Sequence, residues 1–127
     1  MDLHTIALMA AGAIGSVTAV VHGVLTERLM VPPIDSALLK DKRSGRVIRQ
    51  LVPMLLHYST VSWFLSGVLL IVAALWFPPD AKLATALIVG GHFLYGAIGN
   101  AWATRGRHPG WMLMAVAVGL IAYGLSH

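Results

Sequence analysis

Residues 50–77 form the longest apolar run of this chain, QLVPMLLHYSTVSWFLSGVLLIVAALWF. The run contains no Asp, Glu, Lys or Arg, and it exceeds the roughly 17–25 residues with which a helix crosses the hydrocarbon core of a bilayer. Three further apolar runs, at about 5–26, 83–103 and 110–126, are near that length. Because apolar and polar residues do not strictly alternate, only helices can satisfy the backbone in lipid. We predict an all-α, integral membrane four-helix bundle.

The composition agrees with this prediction. Of 127 residues, 57% are hydrophobic and 11% are charged, against roughly 25% charged residues in a soluble domain. The mean hydropathy is +0.78. The length corresponds to a single transmembrane domain over 1–127. The absence of cysteine excludes disulfides, thiolate metal sites and covalently attached c-type haem.

The basic residues predict the orientation. Lys82 alone lies between the second and third runs, and the other Lys and Arg residues lie in the first and third connections: Arg28, Lys40, Lys42, Arg43, Arg46, Arg49, Arg105 and Arg107. The positive-inside rule makes the side with these connections cytoplasmic. The first run lacks a basic start and is too long for a cleaved signal peptide, so it is predicted to be a mature span. We expect a multi-pass protein of the bacterial inner (cytoplasmic) membrane, N-out and C-out.

The segment at about 28–49 is the only long polar connection. Pro32 and Pro33 are predicted to end the first helix, and a basic cytoplasmic loop is expected to follow them. Such a loop would contact anionic lipid headgroups or dock a protein partner. The net charge of +4 follows from topology and comes with no recognition motif, so nucleic acid is not an expected partner.

Three histidines lie inside the apolar runs: His22, His57 and His92, one in each of the first three. Ionisable residues inside a membrane span are expensive, so each is a functional hypothesis. In the first helix, small and polar residues recur at spacings of three and four and predict a face toward the bundle: Ala11, Gly15, Thr18, His22 and Thr26. We predict an intramembrane histidine cluster.

Binding of b-type haem for electron transfer is the first hypothesis for this cluster. His22, His57 and His92 would supply axial ligands, Gly96 and Gly99 a groove, and basic residues near the inner surface the propionate partners. The second hypothesis is a transition-metal site, with the same histidines binding Zn²⁺, Cu or Fe, and with Glu27 nearby.

A third hypothesis has no cofactor. The histidines would then be hydrogen-bonding or proton-relay groups in an accessory subunit of a larger membrane complex. Transport, or an enzyme acting on a lipid or quinone, completes the alternatives. No Ser/His/Asp order or paired-carboxylate motif predicts a catalytic site, and only Glu27 among the acidic residues adjoins a span.

Other single residues have simpler predicted roles. Glu27 is expected to pair with Arg28 at the interface or to orient His22 as a hydrogen-bond acceptor. His108 is expected to be solvated in its loop, and His4 to lie at the outer surface. The four tryptophans lie mostly near the ends of the apolar runs, as interfacial aromatic residues do.

Three stretches of the sequence resemble a family of small four-span bacterial inner-membrane proteins. They are His22-Gly23-Val24-Leu25-Thr26-Glu27-Arg28, Leu56-His57-Tyr58-Ser59-Thr60-Val61-Ser62-Trp63, and Thr104-Arg105-Gly106-Arg107-His108-Pro109-Gly110-Trp111. The family pattern has His-Ser-x-x-Gly-Glu, Trp-His-Leu-Thr and Gly-Arg-His stretches, from which this chain departs at Gly23, Thr26 and Leu56. The resemblance implies that His22, Glu27, His57 and His108 form one cytoplasm-side constellation, and it implies no reaction.

Glycine and alanine recur along one face of the first, third and fourth helices. One small bundle cannot bury all of these faces. The expected partners are therefore membrane lipids together with a second copy of the chain or a larger membrane complex.

Overall fold

The structure, a computed structural model, describes residues 1–40 and 45–126. Within these residues four helices form the bundle: α1 (Leu3–Leu25), α3 (Arg46–Trp76), α4 (Pro79–Ala103) and α5 (Gly110–Gly124). A π-helical turn, Thr26–Met30, and helix α2, Val31–Lys40, lie between α1 and α3. The described residues contain no strand, and the predicted all-α four-helix bundle is confirmed.

Three helical segments are long and apolar enough to span a membrane: Leu3–Lys40, Arg46–Trp76 and Pro79–Ala103. Large apolar side chains remain exposed along all three, among them Val20, Leu65 and Ile88, as expected of surfaces that face lipid. The fourth predicted span, 110–126, is a helix of only 15 residues. That length falls short of the roughly 17 residues needed to cross the hydrocarbon core without adjustment.

The prediction that Pro32 and Pro33 end the first helix is wrong. The helix continues through them into α2, because the π-helical turn comes first and restarts the hydrogen-bonding pattern. The Val31 N–H donates to the carbonyl oxygen of Thr26, five residues earlier. The two prolines then lie in the first turn of α2, where a missing N–H costs little. Much of the predicted loop at 28–49 is therefore helical, while its residues 41–44 lie outside the described residues.

The helices pack as neighbours around a ring. α1 packs against α3 and α5, and α4 packs against the same two helices, so α1 and α4 lie on one diagonal. The contact of α1 with α3 is close. A Cβ added at Gly12 would lie 2.5 Å from the carbonyl oxygen of Gly67, and the Ser16 hydroxyl donates to the Phe64 carbonyl oxygen at 3.2 Å. Small residues let two backbones approach in this way.

Two large aromatic side chains fill the middle of the bundle. Phe93 of α4 is fully buried, and its ring lies where a Cβ of Gly15 on α1 would be. Trp63 of α3 is also buried, and its ring lies against Gly96 of α4. Trp63 is therefore a core residue and not an interfacial one. These contacts connect all the long helices at one level.

Local sequence explains the two short connections and the start of α1. Tight turns connect α3 to α4 at Phe77–Pro78 and α4 to α5 at 104–109, where Arg105 and Gly106 have positive φ angles of 51° and 73°. Asp2 caps α1 by accepting from the Thr5 backbone N–H at 2.7 Å, and this bond lowers the pKa of the Asp2 carboxyl below its ordinary value.

His4 is tied into the bundle at the same end. It donates from Nδ1 to the Tyr123 carbonyl oxygen at 3.0 Å, and the two rings stack with centroids 4.8 Å apart. The expectation that His4 merely lies at the outer surface therefore omits its contact with α5. His127, at the other terminus, lies outside the described residues.

Candidate functional site

Polar side chains converge at one end of the bundle, where α1 ends, α3 begins and α4 turns into α5. We call it the basic end, since it carries Arg28, Arg46, Arg49, Arg105 and Arg107. The four residues that the family resemblance groups together, His22, Glu27, His57 and His108, all belong to this end. Glu27 and His57 contact each other, while His22 and His108 bond to other residues.

The first contact is between Glu27 and His57. The π-helical turn carries Glu27, and its Oε2 atom lies 2.9 Å from Nε2 of His57 on α3. The carboxylate accepts, so Nε2 of His57 carries the proton. Glu27 therefore pairs with neither Arg28 nor His22, contrary to the sequence prediction. The Glu27 side chain is 65% exposed and the His57 side chain 35%. Because solvent screens such a pair, it contributes at most about 1 kcal/mol to stability.

The second contact orients His22. Its Nε2 atom lies 3.3 Å from the Ser59 hydroxyl oxygen, and that hydroxyl donates to the Leu56 carbonyl oxygen at 3.0 Å. A serine hydroxyl has one proton to donate, so Ser59 accepts from Nε2–H of His22. Nδ1 of the neutral ring is then an acceptor. The imidazole also packs against the Trp63 ring, with centroids 4.9 Å apart.

His108 is oriented by its own turn. The Gly110 backbone N–H donates to Nδ1 of His108 at 3.1 Å, so Nε2 carries the proton in the neutral ring. A Cβ on Gly110 would lie 2.9 Å from the same Nδ1 atom, which is why glycine at this position lets the ring approach. His108 is half-buried, so the expected solvation applies to only part of its side chain.

His92 has other partners than His22, His57 and His108. It bonds to two serines one turn apart on α3, with Nδ1 3.0 Å from the Ser66 hydroxyl and Nε2 3.3 Å from the Ser62 hydroxyl. Both ring nitrogens are therefore satisfied within the bundle. This is the interhelical hydrogen bonding that the third hypothesis predicts for a histidine in a membrane bundle.

The structure does not bring His22, His57 and His92 together as a metal site. Among residues 1–40 and 45–126, no group of three or more His, Asp or Glu side chains is placed to hold a metal ion. The physical reason is helix rotation: His22 and His92 face different serines of α3, and His57 turns toward Glu27.

The predicted groove for haem is not open either. The Trp63 ring fills the space beside Gly96, and Gly99 has no neighbour within 4 Å of an added Cβ, so it faces outward. The cavity nearest to His22 has a volume of about 140 Å³, below the roughly 300–1,000 Å³ of common cofactor and ligand pockets. The haem prediction therefore has no support from the packing of the described residues.

We call the cavity nearest to His22 the basic-end cavity, and it is more enclosed than the three other concave sites found among the described residues. It lies between α1, α5 and the turn before α5, and Trp63 and Asn100 close it from the opposite helices. Its wall is mainly apolar, and its polar side chains are those of Thr18, His22, Asn100 and His108. Val17, Val21 and Leu113 also line it and are exposed on the outside of the bundle. It therefore opens sideways, between α1 and α5.

The polar groups of this wall are incompletely paired. Thr18 is only 7% exposed, and its buried hydroxyl has no hydrogen-bond partner. The Asn100 amide donates to the Gly96 carbonyl oxygen at 2.9 Å, which uses its nitrogen and not its oxygen. A buried polar group without a partner costs roughly 1–3 kcal/mol. The wall therefore offers hydrogen bonds that a ligand can complete.

The side chains that the histidines meet were not predicted from the sequence. Ser59, Ser62 and Ser66 form a polar stripe on α3, and each turns out to be the partner of a histidine. Their spacing of three and four was the available signal. Thr18 lies on the predicted inward stripe of α1, but nothing in the sequence marks its hydroxyl as unpaired.

Comparisons of this chain with protein-family models, with curated proteins and with solved structures find no match. The resemblance to the small four-span family therefore stays a prediction. The structure defines a class of protein: an all-α bundle with three helices long and apolar enough to span a membrane, and with a cavity of about 140 Å³ at its basic end.

Proposed function

We propose that this chain is a membrane protein that binds a lipid-soluble compound with a single ring in the basic-end cavity. The observation that carries the proposal is the cavity itself, about 140 Å³ of mainly apolar space that opens toward the lipid between α1 and α5. An engineered apolar cavity of about 150 Å³ in another protein holds one benzene molecule. The basic-end cavity therefore has the size of one ring.

A second, more open cavity supports a ligand with an apolar tail. It has a volume of about 250 Å³ and is lined by Ala13, Ile14, Val17, Thr18 and Leu113. Three of these residues also line the basic-end cavity, so the two spaces adjoin. A ring in the first cavity can thus continue as a chain along the α1/α5 groove, which is exposed to lipid.

Binding of the compound 1-bromo-4-butylbenzene tests this proposal. Bromine quenches tryptophan fluorescence on contact, and Trp63 lines the cavity. In a variant that retains only Trp63, with Trp76, Trp102 and Trp111 changed to Phe, the probe should quench saturably in lipid nanodiscs. Leu113→Trp fills the opening, and ligand-detected NMR should then find no binding of the probe.

Gly119→Trp provides the matched control, because Gly119 has open space around it and lies outside the cavity. It should leave binding unchanged. If quenching instead rises linearly with the concentration of the probe in the lipid, without saturation, the proposed function is overturned.

We also propose that the basic end faces the cytoplasm of a bacterial inner membrane, with both termini outside. The described basic residues of the basic end support this orientation, and Lys82 lies at the opposite end of α4. A phosphatase that is active only outside the cytoplasm should be active when fused at the C-terminus and inactive when fused after Lys40. Activity at Lys40 would reverse the orientation.

The sequence hypotheses of electron transfer by a haem or metal and of an accessory subunit remain predictions. Small residues on the outside of α4 and α5, Gly91, Gly99 and Gly119, leave open space for a neighbour. Lipid fills such space as readily as a second copy or a larger complex does, so neither association is favoured.

A further inference from the structure

We infer that the ring bound in the basic-end cavity carries a hydroxyl group, so that the ligand is a lipid-soluble phenol or hydroquinone. This inference rests on the proposed function and adds the chemical class of the ligand. It follows from the direction of the hydrogen bonds at the two imidazoles that line the cavity, His22 and His108.

His22 presents an acceptor. Since its Nε2–H is given to Ser59, the lone pair of Nδ1 is the free hydrogen-bonding site of the neutral ring. No hydrogen-bond partner of this atom is found among the described residues. A ligand group near His22 is therefore held if it donates a proton.

His108 presents the opposite group. Its Nδ1 accepts from the Gly110 N–H, which leaves Nε2–H as the free donor of the neutral ring. A ligand atom near His108 is therefore held if it accepts. The two histidines come from different elements, α1 and the turn before α5, and they line the same space.

A hydroxyl is the smallest group that donates and accepts at the same atom. A ketone or ether oxygen would satisfy His108 and leave Nδ1 of His22 unpaired. An alkyl group would leave both unpaired. The free Asn100 oxygen is a further acceptor in this wall, and the unpaired Thr18 hydroxyl lies one helical turn from His22 and can bond a second oxygen on the ring.

Competition between three size-matched compounds tests the inference. 4-Butylphenol, 4-butylanisole and 4-butyltoluene should each displace 1-bromo-4-butylbenzene from the single-Trp63 protein in nanodiscs. After correction for partition into lipid, the phenol should bind about tenfold more tightly than the toluene analogue, since two hydrogen bonds of roughly 0.7 kcal/mol each give that ratio. The anisole should fall between them.

His22→Phe and His108→Phe keep a ring in the wall and remove one polar atom pair each. Both should still bind the toluene analogue, which shows that they fold, and both should lower the phenol-to-toluene ratio severalfold. His92→Phe is the matched control, because that imidazole is paired with Ser62 and Ser66 and does not line the cavity. It should keep the ratio of the parent protein.

The ¹⁵N spectrum of histidine-labelled parent protein gives an independent readout without substitution. The phenol should shift the signals of Nδ1 of His22 and Nε2 of His108 and leave those of His92 in place. Equal binding of all three compounds would overturn the hydroxyl assignment and leave the proposed function standing. Failure of every compound, including the bromo probe, would overturn the proposed function itself.

Discussion

Gly67→Leu is expected to destabilise the bundle strongly, while Gly99→Leu leaves its stability almost unchanged. A side chain at Gly67 would overlap the Ser16 hydroxyl and the Gly12 carbonyl oxygen, so α1 and α3 would have to separate. Separation also breaks the bond from Ser16 to the Phe64 carbonyl oxygen. Overpacking costs typically 1–3 kcal/mol, and more where the neighbour is backbone. We therefore expect Gly67→Leu to lower the free energy of unfolding by about 3 kcal/mol or more.

The comparison with Gly99 controls for the change of residue type. Both glycines lie inside long helices, and leucine raises helix propensity equally at both, by roughly 0.8 kcal/mol. An added Cβ at Gly99 meets nothing within 4 Å. Unfolding of the purified proteins in mixed micelles should show a lower midpoint for Gly67→Leu alone. Equal midpoints would mean that α1 and α3 do not approach at Gly12 and Gly67.

The second large effect is expected at Phe93, at the centre of the bundle. Phe93→Ala removes a fully buried ring that fills the space beside Gly15. Truncations of this kind cost about 3–5 kcal/mol in soluble cores. Unfolding in mixed micelles should show that Phe93→Ala lowers the free energy of unfolding by an amount in that range.

A double-mutant cycle with Gly15→Ala identifies the contact. In the parent protein the new methyl group would overlap the Phe93 ring, so Gly15→Ala should destabilise. In the Phe93→Ala background the same change should be neutral or stabilising, because the space is empty and alanine favours the helix. The expected coupling lies within about 0.5–3 kcal/mol. Additive effects would show that Phe93 points elsewhere.

The parts of this fold that follow from local pattern were predictable. The inward stripe of α1 is confirmed, with Ala11, Gly15, Thr18 and Thr26 buried and His22 half-buried. The turn before α4 follows from its consecutive prolines. The continuation of the helix through Pro32 and Pro33 was not predictable from propensity, because it depends on a π-helical turn that places both prolines in a first turn.

The site was predictable in part, for a related reason. Spacing places each histidine on an inward face, but the rotation and depth of the neighbouring helix decide which atom it meets. His22, His57 and His92 therefore look like one set in the sequence, and the structure separates them into three pairings. Gly96 shows the same limit, since the residue that fills its space, Trp63, belongs to another helix.

The π-helical turn at Thr26–Met30 also determines how far α2 is rotated around the helix axis relative to α1. Such a turn holds one residue more than the α-helical turn it replaces, and one residue corresponds to about 100° of rotation. Everything beyond Met30 is thus rotated relative to a continuous α-helix. Loss of one residue there would leave α1 unchanged, yet it would turn every side chain of α2, including that of Lys40, by about 100° around the helix axis.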